Sequence, residues 1–306
     1  MTDSELSQFP AESSVMMFMR RLGFHSLAWS LRRLHVPVPA SALVLEVGSG
    51  GNPYFRANVL IDAYEVTRER HYVPLVADRP TVLGYAERLP FKDKVFDFVI
   101  ASHVLEHSAN PKLFLSELER VAKSGYIEVP DALMERLNPY LDHRLEITER
   151  DNRLVIRKKK AWRTDPELVE LYEQGAHKVI AEKVIPLHPF EFHVRHYWTG
   201  RIRYDIVNEN DDASWPAPHS NSPPGETSLR AKLQANVLHL IRRLFSQNKR
   251  NRILDVVALL RCPECQQGSL SQDDGRLRCA VCEARHEVIH GIPRLFPSVK
   301  GAVDES

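Results

Sequence analysis

The sequence predicts an α/β fold with a mostly parallel sheet, antiparallel late strands, and a small metal-binding module at its C-terminal end. Three observations carry this prediction. Short apolar runs alternate with helical stretches between residues 43 and 129, a glycine-rich turn directly follows the first run, and two Cys-x-x-C pairs occupy the last fifth of the chain. A chain of 306 residues, 43% of them hydrophobic, has room for one sizeable domain and a smaller one. A net charge of +1 excludes a polycation that would hold nucleic acid by bulk charge. No apolar run approaches the roughly 18 residues of a membrane span. The start, MTDSELSQFPAESS, has neither a basic head nor an apolar signal core, so a soluble cytoplasmic protein is expected.

Residues 1–40 read as a helical lead-in. Met17, Met19, Leu22, Phe24, Leu27 and Leu31 are mixed with Arg20, Arg21, Arg32 and Arg33, and the Val-Pro-Val-Pro of residues 36–39 ends the pattern. Such a helix covers an edge of the next domain or lies on a membrane surface. Residues 41–207 form the main domain, with strands expected at 43–47, 59–61, 81–83, 96–101 and 126–129. A helix at 111–123 joins the last two, because continuous apolar strands bounded by helices mark a sheet covered on both faces. A helical stretch at 132–141, a hairpin through Asp151-Asn152 and a helix at 165–178 follow. Runs at 192–198 and 201–207, separated by Thr199-Gly200, read as a tight hairpin. Residues 208–226, rich in Pro, Ser, Asn and Asp, read as a flexible linker. Residues 227–252 read as an amphipathic helix with Leu229, Leu233, Val237, Leu240 and Leu244 on one stripe, and residues 253–300 as the cysteine module.

The first strand runs straight into Gly48-Ser49-Gly50-Gly51. Glycines there permit positive φ and close approach of a ligand, and the carboxyl edge of such a sheet is where open α/β folds bind ligands. Glu46, two residues before the first glycine, is unsuited to a pyrophosphate but can oppose a ligand bearing positive charge.

On these residues the chain resembles the class I S-adenosylmethionine-dependent methyltransferases, whose acidic-x-Gly-x-Gly loop matches Glu46, Gly48 and Gly50. The stretch from Gly84 to Phe91, with its Leu89-Pro90-Phe91, and the stretch Phe96-Asp97-Phe98-Val99 through His103-Val104-Leu105-Glu106-His107 resemble the type-11 branch of that superfamily. The resemblance implies a Rossmann-like sheet and S-adenosyl-L-methionine as cofactor. It places Glu46, Gly48, Ser49 and Gly50 along the methionine and ribose, Asp62 at the ribose hydroxyls, Ala86, Glu87 and Leu89 around the adenine, and Ser102 near the reacting methyl. Two positions depart from the pattern: Tyr85 stands where many relatives have Asp, and between Gly51 and Val59 there is little room for the usual helix.

Methyl transfer from a sulfonium is an in-line displacement, so orientation of the partners is the protein's main contribution. His103, at the end of the fourth strand, can remove or orient an acceptor proton, and His107, one turn later, is expected at the substrate, with helix capping and packing as the alternative role. Strand alternation puts His193, Arg195 and Tyr197 on one face, a row suited to substrate contact or to a solvated hairpin face. It puts His196 on the other face, which argues against a metal held by the two histidines. The run Arg157-Lys158-Lys159-Lys160 reads as a solvated strand end.

Cys262, Cys265, Cys279 and Cys282 have the spacing of two knuckles that supply four thiolates to Zn2+. The surrounding segment, including Gly291-Ile292-Pro293-Arg294-Leu295, resembles the small zinc-ribbon proteins that activate tRNA, ribosomal and release-factor methyltransferases by covering an edge of the catalytic subunit. The sequence therefore predicts methyl transfer to an acceptor of open class (small molecule or saccharide, RNA, or protein), with a ribbon packed on its own catalytic domain. The alternative is a non-catalytic scaffold that binds a partner through the ribbon.

Overall fold

The computed structural model describes residues 9–70, 72–216, 237, 240, 246 and 248–298. The lead-in holds two short helices, α1 (Ser14–Arg21) and α2 (His25–Leu31). Ser13 caps the first by accepting from the Met16 amide. Then come β1 (Val44–Val47), β2 (Val59–Asp62), β3 (Thr81–Leu83), β4 (Phe98–Ser102), α3 (Pro111–Val121) and β5 (Ser124–Pro130). Helix α3 starts where Asn110 accepts from the Leu113 amide and Pro111 fills the first turn; it buries Phe114, Leu115, Leu118 and Val121 on the sheet. Each such side chain contributes about 1.5–3 kcal/mol when removed from water.

Further elements are α4 (Ala132–Leu137), the hairpin β6 (Leu145–Arg150) and β7 (Arg153–Lys158), and α5 (Pro166–Leu171). The expected 165–178 helix runs on past its predicted end. Two π-helical turns, Tyr172–Ala176 and Ile180–Val184, flank α6 (His177–Val179) and lead into α7 (Ile185–Leu187). After β8 (His193–Thr199) and β9 (Tyr204–Ile206), the chain continues to α8 (Asn248–Ile253). A four-stranded antiparallel sheet closes it: β10 (Leu270–Asp273), β11 (Arg276–Cys279), β12 (Arg285–Ile289) and β13 (Ile292–Pro293).

The main sheet has the order β3-β2-β1-β4-β5-β8, parallel throughout except that β8 runs antiparallel to β5. This is the mixed sheet expected, but the 192–207 hairpin is corrected. β8 pairs with β5 over seven residues, whereas β9 leaves that sheet and pairs in parallel with β7. Thr199-Gly200 looks like a turn locally, yet each flanking run finds more backbone partners on a different strand.

The two faces of the sheet are covered unequally. One carries α3, the β6–β7 hairpin and the cysteine module, all joined in a single apolar core. On the other, Val44, Tyr54, Phe98, Ile100, Tyr126 and Tyr197 pack against Phe9, Val36 and Val38. Residues 48–58 form no helix, and the lead-in takes the place that a crossover helix would fill: Arg33 stacks on the Tyr54 ring at 4.4 Å.

The cysteine module docks on the β3 edge. Leu295 N donates to Leu83 O at 2.7 Å, Phe91 bridges to Leu260, and Arg294 pairs with Glu65 at 2.7 Å. Of the expected linker, residues 208–216 are described and lie along β7, with Trp215 Nε1 donating to Lys159 O at 2.8 Å and Arg144 over the Trp215 ring. Residues 217–226, and the expected 227–252 helix apart from 237, 240, 246 and 248–252, lie outside the described residues. Among the described residues no helix is long and apolar enough to cross a membrane.

Candidate active site and cysteine cluster

The carboxyl ends of β1, β2 and β4 open into a cavity of about 770 Å3. The glycine turn forms one wall. Gly48 has φ +67°, and a Cβ there would lie 2.0 Å from Val104 Cγ2, so only glycine fits. The Gly48 and Ser49 amides both donate to Ile61 O, tying the turn to β2. Ser49 Oγ is buried on the cavity wall without a hydrogen-bond partner. Glu46 is 3% exposed; its Oε2 accepts from the Tyr54 amide at 2.7 Å. Burial pushes this carboxyl up to about 7, with Arg33, the Tyr54 amide and Arg79 pulling the other way.

Asp62 also lines the cavity, but its oxygens are engaged within the fold. Oδ2 accepts from Gly50 N at 2.9 Å, Oδ1 accepts from Tyr64 N at 3.0 Å, and Arg70 pairs with it at 2.7 Å. Ala86 and Glu87 line the opposite side, where Glu87 accepts from Ser108 Oγ. Leu89 is not brought there; it is buried in the core, its amide donating to Glu117. Tyr85 turns its ring edge-on to Phe296 of the cysteine module, with centroids 4.9 Å apart.

Beyond β4 the wall becomes rich in histidine. His103 adopts φ +58°, an uncommon conformation for a side-chain-bearing residue, and is held there by donation of its amide to Glu128 O at 2.7 Å. Its ring lies 3.4 Å from both Glu106 and Glu128. Burial opposes its charge, but the two carboxylates prevail and raise it to about 9. His103 is thus a cation at neutral pH, suited to orient or donate to an acceptor rather than to take its proton. Ser102 Oγ donates to Glu128 at 3.0 Å. His193 stacks on Trp29 at 4.6 Å and lies 5.6 Å from His103, while His107 and His143 meet edge to face at 4.7 Å.

The predicted row on β8 is divided. His193 reaches the cavity, but Arg195 and Tyr197 are covered by the N-terminal segment: Arg195 donates to Ala11 O, and Tyr197 packs against Phe9 and Tyr126. His196 faces the other way and is buried near Glu149.

One buried acid was not singled out from sequence. Glu128, fully buried, collects Arg32, Ser102, Tyr126 and His103; a lone acid inside the apolar run Tyr126-Ile127-Glu128-Val129 was its signal. The basic run at 157–160 is corrected at Lys159. That residue is 2% exposed, and its ammonium reaches buried Glu135 at 2.5 Å, because the strand end turns beneath α4.

Cys262, Cys265, Cys279 and Cys282 converge with their sulfurs within 4.8 Å of one another. Cys262–Cys282 and Cys265–Cys279 are each 3.7 Å apart. Four thiolates bound tetrahedrally at about 2.3 Å stand about 3.8 Å from one another, so the set fits a Zn2+ ion. The Gly268 amide points at Cys265 Sγ and the Val281 amide at Cys279 Sγ, and a Cβ on Gly268 would come within 2.2 Å of Cys279 Sγ.

Residues 45–127 match the family of the methyltransferase domain. This stretch is similar to methyltransferase domains. An uncharacterised protein of Methanocaldococcus jannaschii is 31% identical over 81 residues, covering 26% of this chain and 40% of the relative's length. Among solved structures, a complex of the Haloferax volcanii Trm112 methyltransferase activator with a candidate methyltransferase shares 16% identity over 63% of this chain and 95% of the other, TM-score 0.35. A Thermotoga maritima SAM-dependent methyltransferase shares 20% identity over 38% of this chain and 57% of the other, TM-score 0.28. The strand order β3-β2-β1-β4-β5-β8 carries the fold. The methyltransferase-domain match spans β1 through most of β5, the stretch that builds the cavity's glycine, Asp62 and His103 walls.

Proposed function

We propose that this chain transfers a methyl group from S-adenosyl-L-methionine to an acceptor held against the histidine wall. The observation that carries the reading is the juxtaposition, in one cavity and within the matched domain, of the Glu46-x-Gly48-x-Gly50 turn and the His103 end of β4. Gly48 with its positive φ and the unpartnered Ser49 Oγ fit a ligand that approaches bare backbone. When bound, the cofactor supplies an electrophilic sulfonium methyl. Glu46 would face the positive end of that donor, Ala86 and Glu87 would flank its base, and Asp62 would reach the ribose by exchanging contacts with Arg70. His103, held by Glu106 and Glu128, would fix the acceptor's orientation, which for aligned reactants lowers the barrier by on the order of 7 kcal/mol or more.

The cysteine set would hold Zn2+ as a structural ion. The resulting ribbon supports the base-side wall through Leu295 on Leu83 and Phe296 on Tyr85. A small acceptor is favoured, since net charge is near zero and the histidine wall is closed behind by Met134 of α4 and by Phe192.

The test is transfer of labelled methyl from S-adenosylmethionine by zinc-replete protein into a host extract, with RNA, protein and small-molecule fractions counted separately. Label in the small-molecule fraction is expected. Label in none, together with no calorimetric cofactor binding, overturns the enzyme reading and leaves the scaffold.

A further inference from the structure

Glu106, His107 and His143 place one ligand atom each within 4.8 Å of one another on the cavity wall. Glu106 is 2% exposed, and neither of its oxygens takes a hydrogen bond, although Oε1 lies 3.4 Å from His103 Nδ1. His103 faces one side of this carboxylate, and an ion on the side of His107 and His143 would take up the acceptor capacity that His103 leaves. Both histidines are oriented from behind. His107 Nδ1 donates to Asp142 O at 3.2 Å. His143 Nδ1 donates to Glu135 at 2.6 Å, and Glu135 is itself fixed by Lys159. With the proton on Nδ1, Nε2 is the atom each ring would turn to an ion, and a carboxylate or carbonyl behind a ligand histidine is the usual support of a metal site. Tyr140 stacks on His143 at 4.6 Å, and the Arg144 amide donates to Glu106 O at 2.7 Å, joining the two segments that supply the ligands.

We propose that Glu106, His107 and His143 bind a first-row divalent transition metal, of the class Zn2+ or Co2+, on the acceptor side of the cavity. Two imidazoles and a carboxylate suit such ions, and three protein ligands leave a coordination position open to the cavity. That position fits an acceptor oxygen, hydroxyl or phosphoryl, which the ion would polarise as a Lewis acid. The ion site itself does not rest on methyl transfer; only the identity of its oxygen ligand as acceptor does.

The test uses the full chain without cofactor, stripped by a chelator and titrated with Co2+. Wild type should take up two ions per chain: one with an intense thiolate charge-transfer band, one with only weak ligand-field bands. Glu106→Gln and His143→Ala should each lose the second ion and retain the thiolate band, which also reports that the chain is folded. Cys282→Ser should weaken the thiolate band and keep the other ion. Uptake of a single, thiolate-bound ion by wild type, or two ions by both cavity variants, overturns the proposal. A cavity variant that loses both bands is replaced by His107→Gln, to which the same two outcomes apply.

Discussion

Replacing Glu46 by glutamine should stabilise the ligand-free protein above neutral pH while weakening its hold on the methyl donor. The Glu46 carboxyl is 3% exposed, and burial raises it from 4.5 to about 7 despite Arg33, the Tyr54 amide and Arg79. An acid whose folded pKa lies above its unfolded one leaves the folded state holding more protons, so stability falls as pH rises through the interval between the two. At 1.36 kcal/mol per pH unit, the loss between pH 4.5 and 7 amounts to roughly 3 kcal/mol. Glutamine has no charge to bury, and its amide oxygen can still accept from the Tyr54 N–H. Urea unfolding of wild type and E46Q, repeated from pH 5 to pH 8, should give curves that diverge with pH, the variant ahead by about 2–3 kcal/mol at pH 8. Calorimetry at pH 8 should show its cofactor affinity lowered by about ten-fold or more, as expected for losing a charge-assisted contact. Curves that stay parallel from pH 5 to 8 would refute the claim that burial governs this carboxyl.

Gly48→Ala should cost about 2–4 kcal/mol, combining a left-handed alanine with the clash on Val104, and should abolish measurable cofactor binding. Adding Val104→Ala should relieve the clash but not the backbone strain, so a double-mutant cycle that shows no coupling would sink the steric account. Gly268→Ala should lower zinc content by crowding Cys279 Sγ, read by elemental analysis at matched protein concentration; unchanged content would mean the knuckle tolerates the methyl group.

The five parallel strands were legible because each is a mostly apolar run that needs no information from elsewhere in the chain. The cysteine cluster was legible for a similar reason: its ligands come in two local pairs, and only their meeting is a tertiary event. What local reading could not supply was the choice of partner. β8 and β9 look like neighbours in sequence, but one completes the edge of β5 and the other the edge of β7. Lys159 and Glu135 are 24 residues apart, and Arg32 and Glu128 are 96 apart, so even where a lone acid in an apolar run hints at burial, nothing beside it names its partner. At the site, the glycine turn followed from the sequence, while the withdrawal of Leu89, Arg195 and Tyr197 from the cavity depended on what packs over them.

The bridge between Leu83 and Arg294 has a consequence for how the chain is made. β3 is an edge strand, and its outer side is closed by residues translated about 210 positions later; at roughly 10 residues per second that is about 20 s of synthesis. During that interval the nascent sheet presents an open, apolar edge of the kind that recruits foreign strands. The four cysteines lie just ahead of the closing strand, so if they hold Zn2+ as proposed, a shortage of zinc would prolong that exposure and favour aggregation of the newly made chain.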